Sequence, residues 1–325
     1  MIAVAHLERY WSRTIAGIRQ PGSWRRADDE WARDKLLLHG LGIGLEPTAR
    51  FLATSPSFEE FENWILERNA GAIDPARLRR LNAALLSEPY DDATAEWLES
   101  IDALSPVLTA QDMARWDEEG LVILRGAISR DEAAAACAAV YEQVGGDPGN
   151  PESWYSRRNM QGIMVQAFQH PAFQPARTSA RIHKAFAQLW GTSDLFPTMD
   201  RCGFNPPEHA TYQFPGPHLH WDADLTRPVP FDVQGVLYLV DVEPEQGAFT
   251  CVPAFHRELE SWRRALSPGA DPAQHIPRER AVAVPASAGD LILWHQALPH
   301  GSRPNRAAKP RVVQYLTMFP PLRMT

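Results

Sequence analysis

The chain has 325 residues, of which 44% are apolar and 22% charged, and a formal net charge of −8 from 32 basic and 40 acidic side chains. These are the proportions of a soluble globular protein long enough for one large domain or two smaller ones, and the acidic excess disfavours a general nucleic-acid binder, which needs a basic face to neutralise phosphates. Cys137, Cys202 and Cys251 are odd in number and far apart, which argues against a disulfide scaffold or zinc ribbon and for a reducing cytoplasm; no apolar run reaches the ~20 residues of a membrane span, and Glu8, Arg9 and Arg13 interrupt the start where a secretory signal needs an apolar core.

The first third reads as helical. Residues 58–67 place Phe58, Phe61, Ile65 and Leu66 near one face, with Ser57 and Glu60 spaced as a capping box. Asp74-Pro75 opens a second helix with a Leu78, Leu81, Leu85 stripe, and Asp92 to Ser100 suggests a third that includes Trp97 and Leu98. None of these segments clusters His, Asp and Glu as ligands. Residues 1–105 are therefore expected to be a helical region that is structural, shapes a substrate entrance, or docks a second copy or a carrier protein.

The texture changes at Ser105-Pro106. Thr109 caps a predicted helix through Glu118, GLVILRG (120–126) reads as a short strand, and Ser129 with Glu132 opens a helix to about Gln143. A breaker-rich loop follows over 144–153, then a helix predicted from about Pro175 to Trp190. From about Phe196, short β-prone runs alternate with Pro/Gly turns: FPTMDRCGF, DVQGVLYLVDV, AFTCVPA, RAVAVPA, DLILWHQ and RVVQYLTMF. Their spacing suggests a sandwich or barrel, since a βαβ series would need helices that have no room here. A helix and loop are expected as an insertion over 260–280.

Five histidines of this β-rich half stand out: His209, His218, His220, His295 and His300. On an extended strand His220 and Asp222 point the same way, so they can offer an imidazole and a carboxylate to one ion. Two histidines and a carboxylate on one face of an octahedron leave three positions open, the pattern of non-haem iron(II) oxygenases. By spacing alone His-x-Asp is a weak signal, and a surface strand with alternating polar residues explains it better. His218 competes with His220. His295 competes with His300 as the distal ligand, because Arg306 and Arg311 each follow 11 residues after their histidine. His209, His256 and His275 read as loop histidines bonded to backbone, and Trp221 and Trp294 as core.

Taken in order, HLHWD, GAFTCVPAFH, WHQALPHGSRPN and Arg311, preceded by LTAQDMARWDEEGLVILRGAISRDE, resemble the phytanoyl-CoA dioxygenase family of iron/2-oxoglutarate oxygenases over about residues 106–325. The resemblance implies an α+β fold, a double-stranded β-helix (jelly-roll, cupin-like) core with flanking helices. It implies Fe(II) held by His220, Asp222 and His300, and 2-oxoglutarate and O2 as co-substrates. Arg311 and Ser302 then hold the distal carboxylate of 2-oxoglutarate, and the stretch 198–207 brings Arg201 and Asn205 as side contacts. The family's PGSH-like turn is Pro253-Ala254-Phe255-His256 here, and residues 1–105 have no assigned counterpart, so substrate identity is not inherited. Asp222, the carboxylate that related halogenases lack, implies hydroxylation of a small-molecule substrate or a related desaturation or ring closure. Two other classes remain: a cupin-like zinc or manganese isomerase or hydrolase, which has no need of Arg311, and a ligand-binding barrel without turnover, which has no need of Asp222.

Overall fold

Helices of this chain start at side-chain caps on Ser57, Asp74, Asp91, Thr109 and Ser129. The computed structural model describes residues 2–20, 28–156, 158–267 and 269–321. The chain divides into two units. The first comprises the chain up to Ser105, the segment Trp190–Asp200 and the chain from Met318; the second comprises Pro106–Leu189 and Arg201–Thr317.

The first unit contains α1 (Leu7–Arg19), α2 (Asp28–Gly40), α3 (Leu45–Leu52), α4 (Phe58–Arg68), α5 (Pro75–Leu86) and α6 (Asp92–Ala103). At α4 the Ser57 hydroxyl accepts from the Glu60 N–H while the Glu60 carboxylate accepts from the Ser57 N–H, the expected box. Asp74 and Asp91 cap α5 and α6 by accepting from the N–H groups of Ala76 and Thr94. Each such cap contributes about 1 kcal/mol by satisfying donors that a helix start leaves open. Helix α2 escapes a one-stripe reading because Leu36, Leu37 and Leu38 are all buried, as in a helix surrounded by core. The core joins Leu7, Leu37, Leu41, Leu52, Phe61, Ile65 and Leu81 to Phe196 and Phe319, which sit opposite each other in a two-stranded pairing.

In the remaining chain order the elements are α7 (Ala110–Glu119), β1 (Leu121–Leu124), α8 (Arg130–Val144), β2 (Met160–Gln161), β3 (Met164–Val165), α9 (Gln174–Thr178), α10 (Ala180–Trp190), β4 (Phe196–Pro197), β5 (Cys202–Asn205), β6 (Val233–Tyr238), β7 (Phe249–Cys251), α11 (Phe255–Ala265), β8 (Val282–Val284), β9 (Leu291–His295), β10 (His300–Gly301), β11 (Arg311–Tyr315) and β12 (Met318–Phe319). The pairing strands of the first unit are β4 and β12. The second unit holds a seven-stranded antiparallel sheet in the order β1-β9-β6-β11-β5-β3-β2 and a three-stranded one in the order β10-β7-β8. The chain is therefore α+β with antiparallel sheets.

Register decides which side chains face inward. Leu121 and Gln234 flank Trp294, Val313 opposes Tyr238, and Arg311 opposes Asn205. Opposed residues share a face, and alternate residues along a strand repeat it. Val236, Tyr238, Ile292, Trp294 and Val313 thus form one apolar face, packed with Phe249, Cys251 and Val284 of the smaller sheet and with Phe255 and Leu259 of α11. Gln234, Asn205 and Arg311 are the polar members of that face. Helix α8 packs across β3, β5 and β11.

Several expectations need correction. The helix expected over 175–190 is two helices, because Ser179 leaves helical conformation and its hydroxyl accepts from the Ile182 N–H, starting α10 anew. The strand expected over 198–207 is only Cys202–Asn205; Pro206 and Pro207 have no N–H for a ladder. The helix expected within 260–280 begins earlier, at Phe255, and is followed by short 3-10 turns; Pro268 of that insertion lies outside the described residues. Residues 218–222 form no regular strand: only His220 makes a bridge, to His300. No disulfide joins the three cysteines. Among the described residues no helix is long and apolar enough to cross a membrane.

Candidate metal and anion site

Backbone contact brings the two histidines together. The His220 N–H donates to the His300 carbonyl and the His300 N–H to the His220 carbonyl, each at 2.9 Å. The Ser302 N–H donates to the Pro217 carbonyl at 3.0 Å, so the two segments run closely side by side. Gly301 permits this: a Cβ there would meet the His218 carbonyl oxygen at 2.4 Å.

Two residues beyond His220, Asp222 turns back to both rings. His220 Nε2 lies 3.3 Å from Asp222 Oδ1, and His300 Nε2 lies 3.4 Å from Asp222 Oδ2. One ligand atom from each of the three residues falls within 4.8 Å of the others, and no other group of three His, Cys, Asp or Glu side chains does so among the described residues. Both Nδ1 atoms are engaged with carbonyls, of His218 at 2.7 Å and of Leu298 at 3.0 Å. A carbonyl only accepts, so each Nδ1 bears hydrogen, and each Nε2 is left to serve as a lone-pair donor once it has no proton. The hydrogen bond to Asp222 raises the His220 pKa against the lowering effect of burial. Burial pushes the Asp222 carboxyl up, yet hydrogen bonds from His220, His300 and Gln234, with the charge of His300, hold it well below the usual carboxylate range. The carboxylate thus stays ionised, as a metal ligand must. This donor set, two imidazole nitrogens and one carboxylate, fits a non-haem iron(II) ion. His300 is buried whereas the Asp222 side chain is 53% exposed, so the cluster is open on the Asp222 side.

Arg311, the first residue of β11, is 1% exposed. Its Nη1 donates to Ser302 Oγ at 2.9 Å, and its Nε is buried without a partner. No carboxylate among the described residues pairs with it. A buried guanidinium left so incomplete fits an anion with two oxygens, such as the far carboxylate of a dicarboxylic acid. Tyr238 lies beside it, its ring centroid 5.9 Å from the guanidinium carbon. Burial pushes the Tyr238 hydroxyl up to about 12, and it donates to the Val284 carbonyl, so it serves as structure and not as an acid.

The other candidates are placed as follows. Asn205 opposes Arg311 across the strands, but its Nδ2 donates to the Arg303 carbonyl while its Oδ1 is buried without a partner. Arg201 precedes β5, and its carbonyl accepts from the Tyr315 N–H, roughly 13 Å along the chain from Asn205 at strand rise. His218 is exposed, and its ring meets Phe214 edge-on at 5.2 Å. His295 lies with Trp116, Phe231 and His256, its Nδ1 accepting from the Ala297 N–H, and Arg306 is 71% exposed. The rival pair therefore converges on nothing. Trp221 packs on Phe255 and Trp262, as expected of a core residue.

Sequence reasoning missed Gln234. Its Nε2 donates to Asp222 Oδ2 at 2.6 Å. The signal was available: Gln234 is the polar residue in VQGVLYL, in phase with the core positions Val236 and Tyr238. It also missed that the Trp294 ring lies 5.1 Å from that of His300.

Comparison with known proteins adds independent information. The profile of the family described as Phytanoyl-CoA dioxygenase (PhyH) matches residues 116–313. A Dictyostelium discoideum protein named "Putative phytanoyl-CoA dioxygenase" is 20% identical over 257 residues, covering 63% of this chain and 74% of that one. Among solved structures, AviO1 from Streptomyces viridochromogenes Tue57 is 17% identical, with a TM-score of 0.47 over 66% of this chain and 96% of its own. HygX from Streptomyces hygroscopicus, solved with nickel and 2-oxoglutarate bound, is 19% identical, with a TM-score of 0.44 over 66% and 88%.

Proposed function

The chain belongs to the phytanoyl-CoA dioxygenase family, 2-oxoglutarate-dependent non-haem iron oxygenases, and we propose that it hydroxylates an unactivated C–H bond of a small-molecule substrate. In this reading R–H, 2-oxoglutarate and O2 become R–OH, succinate and CO2. Bound iron(II) with 2-oxoglutarate supplies the activation of dioxygen that this oxidation requires. The protein's residues supply placement. His220, Asp222 and His300 would hold the ion, as three donors within 4.8 Å of one another. Arg311 and Ser302 fix the far carboxylate of 2-oxoglutarate, with Asn205 and Arg201 as side contacts. The open Asp222 side admits the substrate, while the apolar faces around Phe249 and Trp294 exclude water from the other.

The reading extends to the architecture: residues 106–325, apart from Trp190–Asp200 and the chain from Met318, which belong to the first unit, form the oxygenase domain, the two sheets of the second unit are the faces of a double-stranded β-helix, and the helical first unit serves a dimer or carrier contact in a cytoplasmic enzyme. The observation that supports the chemistry most strongly is the conjunction of the three donor atoms within 4.8 Å with a buried arginine that lacks a carboxylate. A zinc or manganese hydrolase has no use for the second feature. Anaerobic loading with iron(II), then 2-oxoglutarate, tests the proposal: a weak visible charge-transfer band is expected in wild type and absent in Asp222→Ala. A fully iron-loaded wild type that shows no band on adding 2-oxoglutarate sinks it.

A further inference from the structure

The hydrogen bond from Gln234 to Asp222 joins a weakly restrained loop to the middle of the seven-stranded sheet. Asp222 lies in a stretch whose only ladder contact is at His220, whereas His300, in a strand of two residues, is paired with Cys251 on one side and bridged to His220 on the other. Asp222 is thus the donor whose segment has the least backbone pairing of its own. Strands β6 and β9, in contrast, pair with each other over five positions, and each has a second neighbour. Gln234 and Trp294 oppose each other across that pair, so their side chains stand on the same face. From there Gln234 Nε2 reaches Asp222 Oδ2 at 2.6 Å, and the Trp294 ring flanks His300 at 5.1 Å.

The orientation of the Gln234 amide follows from chemistry, because an ionised carboxylate only accepts and the NH2 group must face it. Its Oε1 is then buried without a partner, as is the Nε1 of Trp294. Unpaired buried polar atoms lower stability, and apolar side chains at these two positions would serve the core better. Packing therefore does not account for an amide in phase with Val236 and Tyr238.

We propose that Gln234 is a positioning residue of the metal site: its amide holds the Asp222 carboxylate turned toward the two imidazoles, while its cross-strand partner Trp294 buttresses His300. The Asp222 carboxylate is thereby referenced to the five-position pairing of β6 with β9 and not to its own segment alone. This inference rests on the reading that His220, Asp222 and His300 hold iron.

The test needs no turnover. Iron(II) affinity is measured anaerobically by competition with a chromogenic chelator, and ligand-field bands are recorded after cobalt(II) loading, for wild type, Gln234→Met, Gln234→Asn and Asp222→Ala. Both Gln234 variants are expected to bind iron(II) roughly 10- to 100-fold more weakly, with displaced cobalt bands. The urea midpoint of metal-free Gln234→Met should equal or exceed that of wild type. Wild-type affinity and bands in both variants overturn the proposal. So does a loss of affinity that follows a loss of metal-free stability while the bound fraction keeps wild-type bands, since Gln234 is then structural only. A wild type that binds no iron(II), or an Asp222→Ala that binds it equally well, removes the ligand assignment itself and this proposal with it.

Discussion

Arg80 in the first unit and Arg311 in the second are both largely buried, yet their surroundings differ. Arg80 donates to Asp194 at 3.3 Å and to the Leu195 carbonyl at 2.8 Å, and lies over the rings of Trp97 and Phe196. Asp194 in turn accepts from the Tyr90 hydroxyl at 2.9 Å. Arg311 has the Ser302 hydroxyl and a neighbouring Tyr238 ring, but no carboxylate. Each arginine leaves its Nε unpaired, so an orphaned nitrogen does not distinguish them. The missing counter-charge does. Burial of a charge marks function only where the protein itself declines to neutralise it.

The largest expected effect tests this contrast. Arg80→Met removes the guanidinium that pairs with the buried Asp194 and should destabilise the protein by about 3–5 kcal/mol in urea unfolding. Arg311→Met should leave the stability of the protein without 2-oxoglutarate unchanged or raised, and weaken 2-oxoglutarate binding by about 2 kcal/mol or more, roughly 30-fold in Kd by calorimetry, with iron(II) binding retained. Equal destabilisation by the two substitutions would erase the distinction.

A smaller effect sharpens the role of close backbone approach. Gly301→Ala forces the new Cβ onto the His218 carbonyl and should cost about 1–3 kcal/mol in stability while lowering iron(II) affinity, because the segment that includes His218 and His220 is displaced from His300. Unchanged metal affinity would mean that this contact does not set the ligand geometry.

Next comes a dependence on pH away from the site. Burial, then the neighbouring charge of His256, pushes the His295 pKa down to about 4. An unfolded chain takes up that proton near pH 6.5, whereas the folded one refuses it until about pH 4. This contribution is fully present above pH 6.5 and is lost as pH falls toward 4. His295→Gln keeps an acceptor for the Ala297 N–H and should flatten the slope of stability over that interval; an unaltered slope would assign it to other groups. The smallest effect concerns Ala254, which caps α11 with φ of 63°. A Cβ disfavours that left-handed conformation, so Ala254→Gly should gain up to about 1 kcal/mol in thermal or urea unfolding. A loss instead would show that the alanine methyl contributes packing.

What could be read from the residues alone depended on range. The boxes at Ser57/Glu60 and Ser129/Glu132 were legible because a cap and its partner lie three residues apart. The order His220, Asp222, His300, Arg311 was legible as a pattern, though not as a geometry. The break at Ser179 was not, since a serine within an otherwise helical run also occurs in uninterrupted helices. The pair Met160–Gln161 with Met164–Val165 escaped notice because two-residue strands have no period to detect.

By itself, the sequence determined the capped helix starts at Ser57, Asp74, Thr109 and Ser129, the β-rich texture of the second half, and a pattern of two histidines, a carboxylate and an arginine. Tertiary structure decided which histidines meet, through the His220–His300 bridge, and left His295 with Trp116 and His256. It also decided that Gln234 meets Asp222 and that Arg311 is buried without a counter-ion. The reason is physical: caps and alternation act over a few residues, whereas register and close approach couple residues far apart in the chain, 80 positions for His220 and His300 and 173 for Leu121 and Trp294, and no local pattern encodes them.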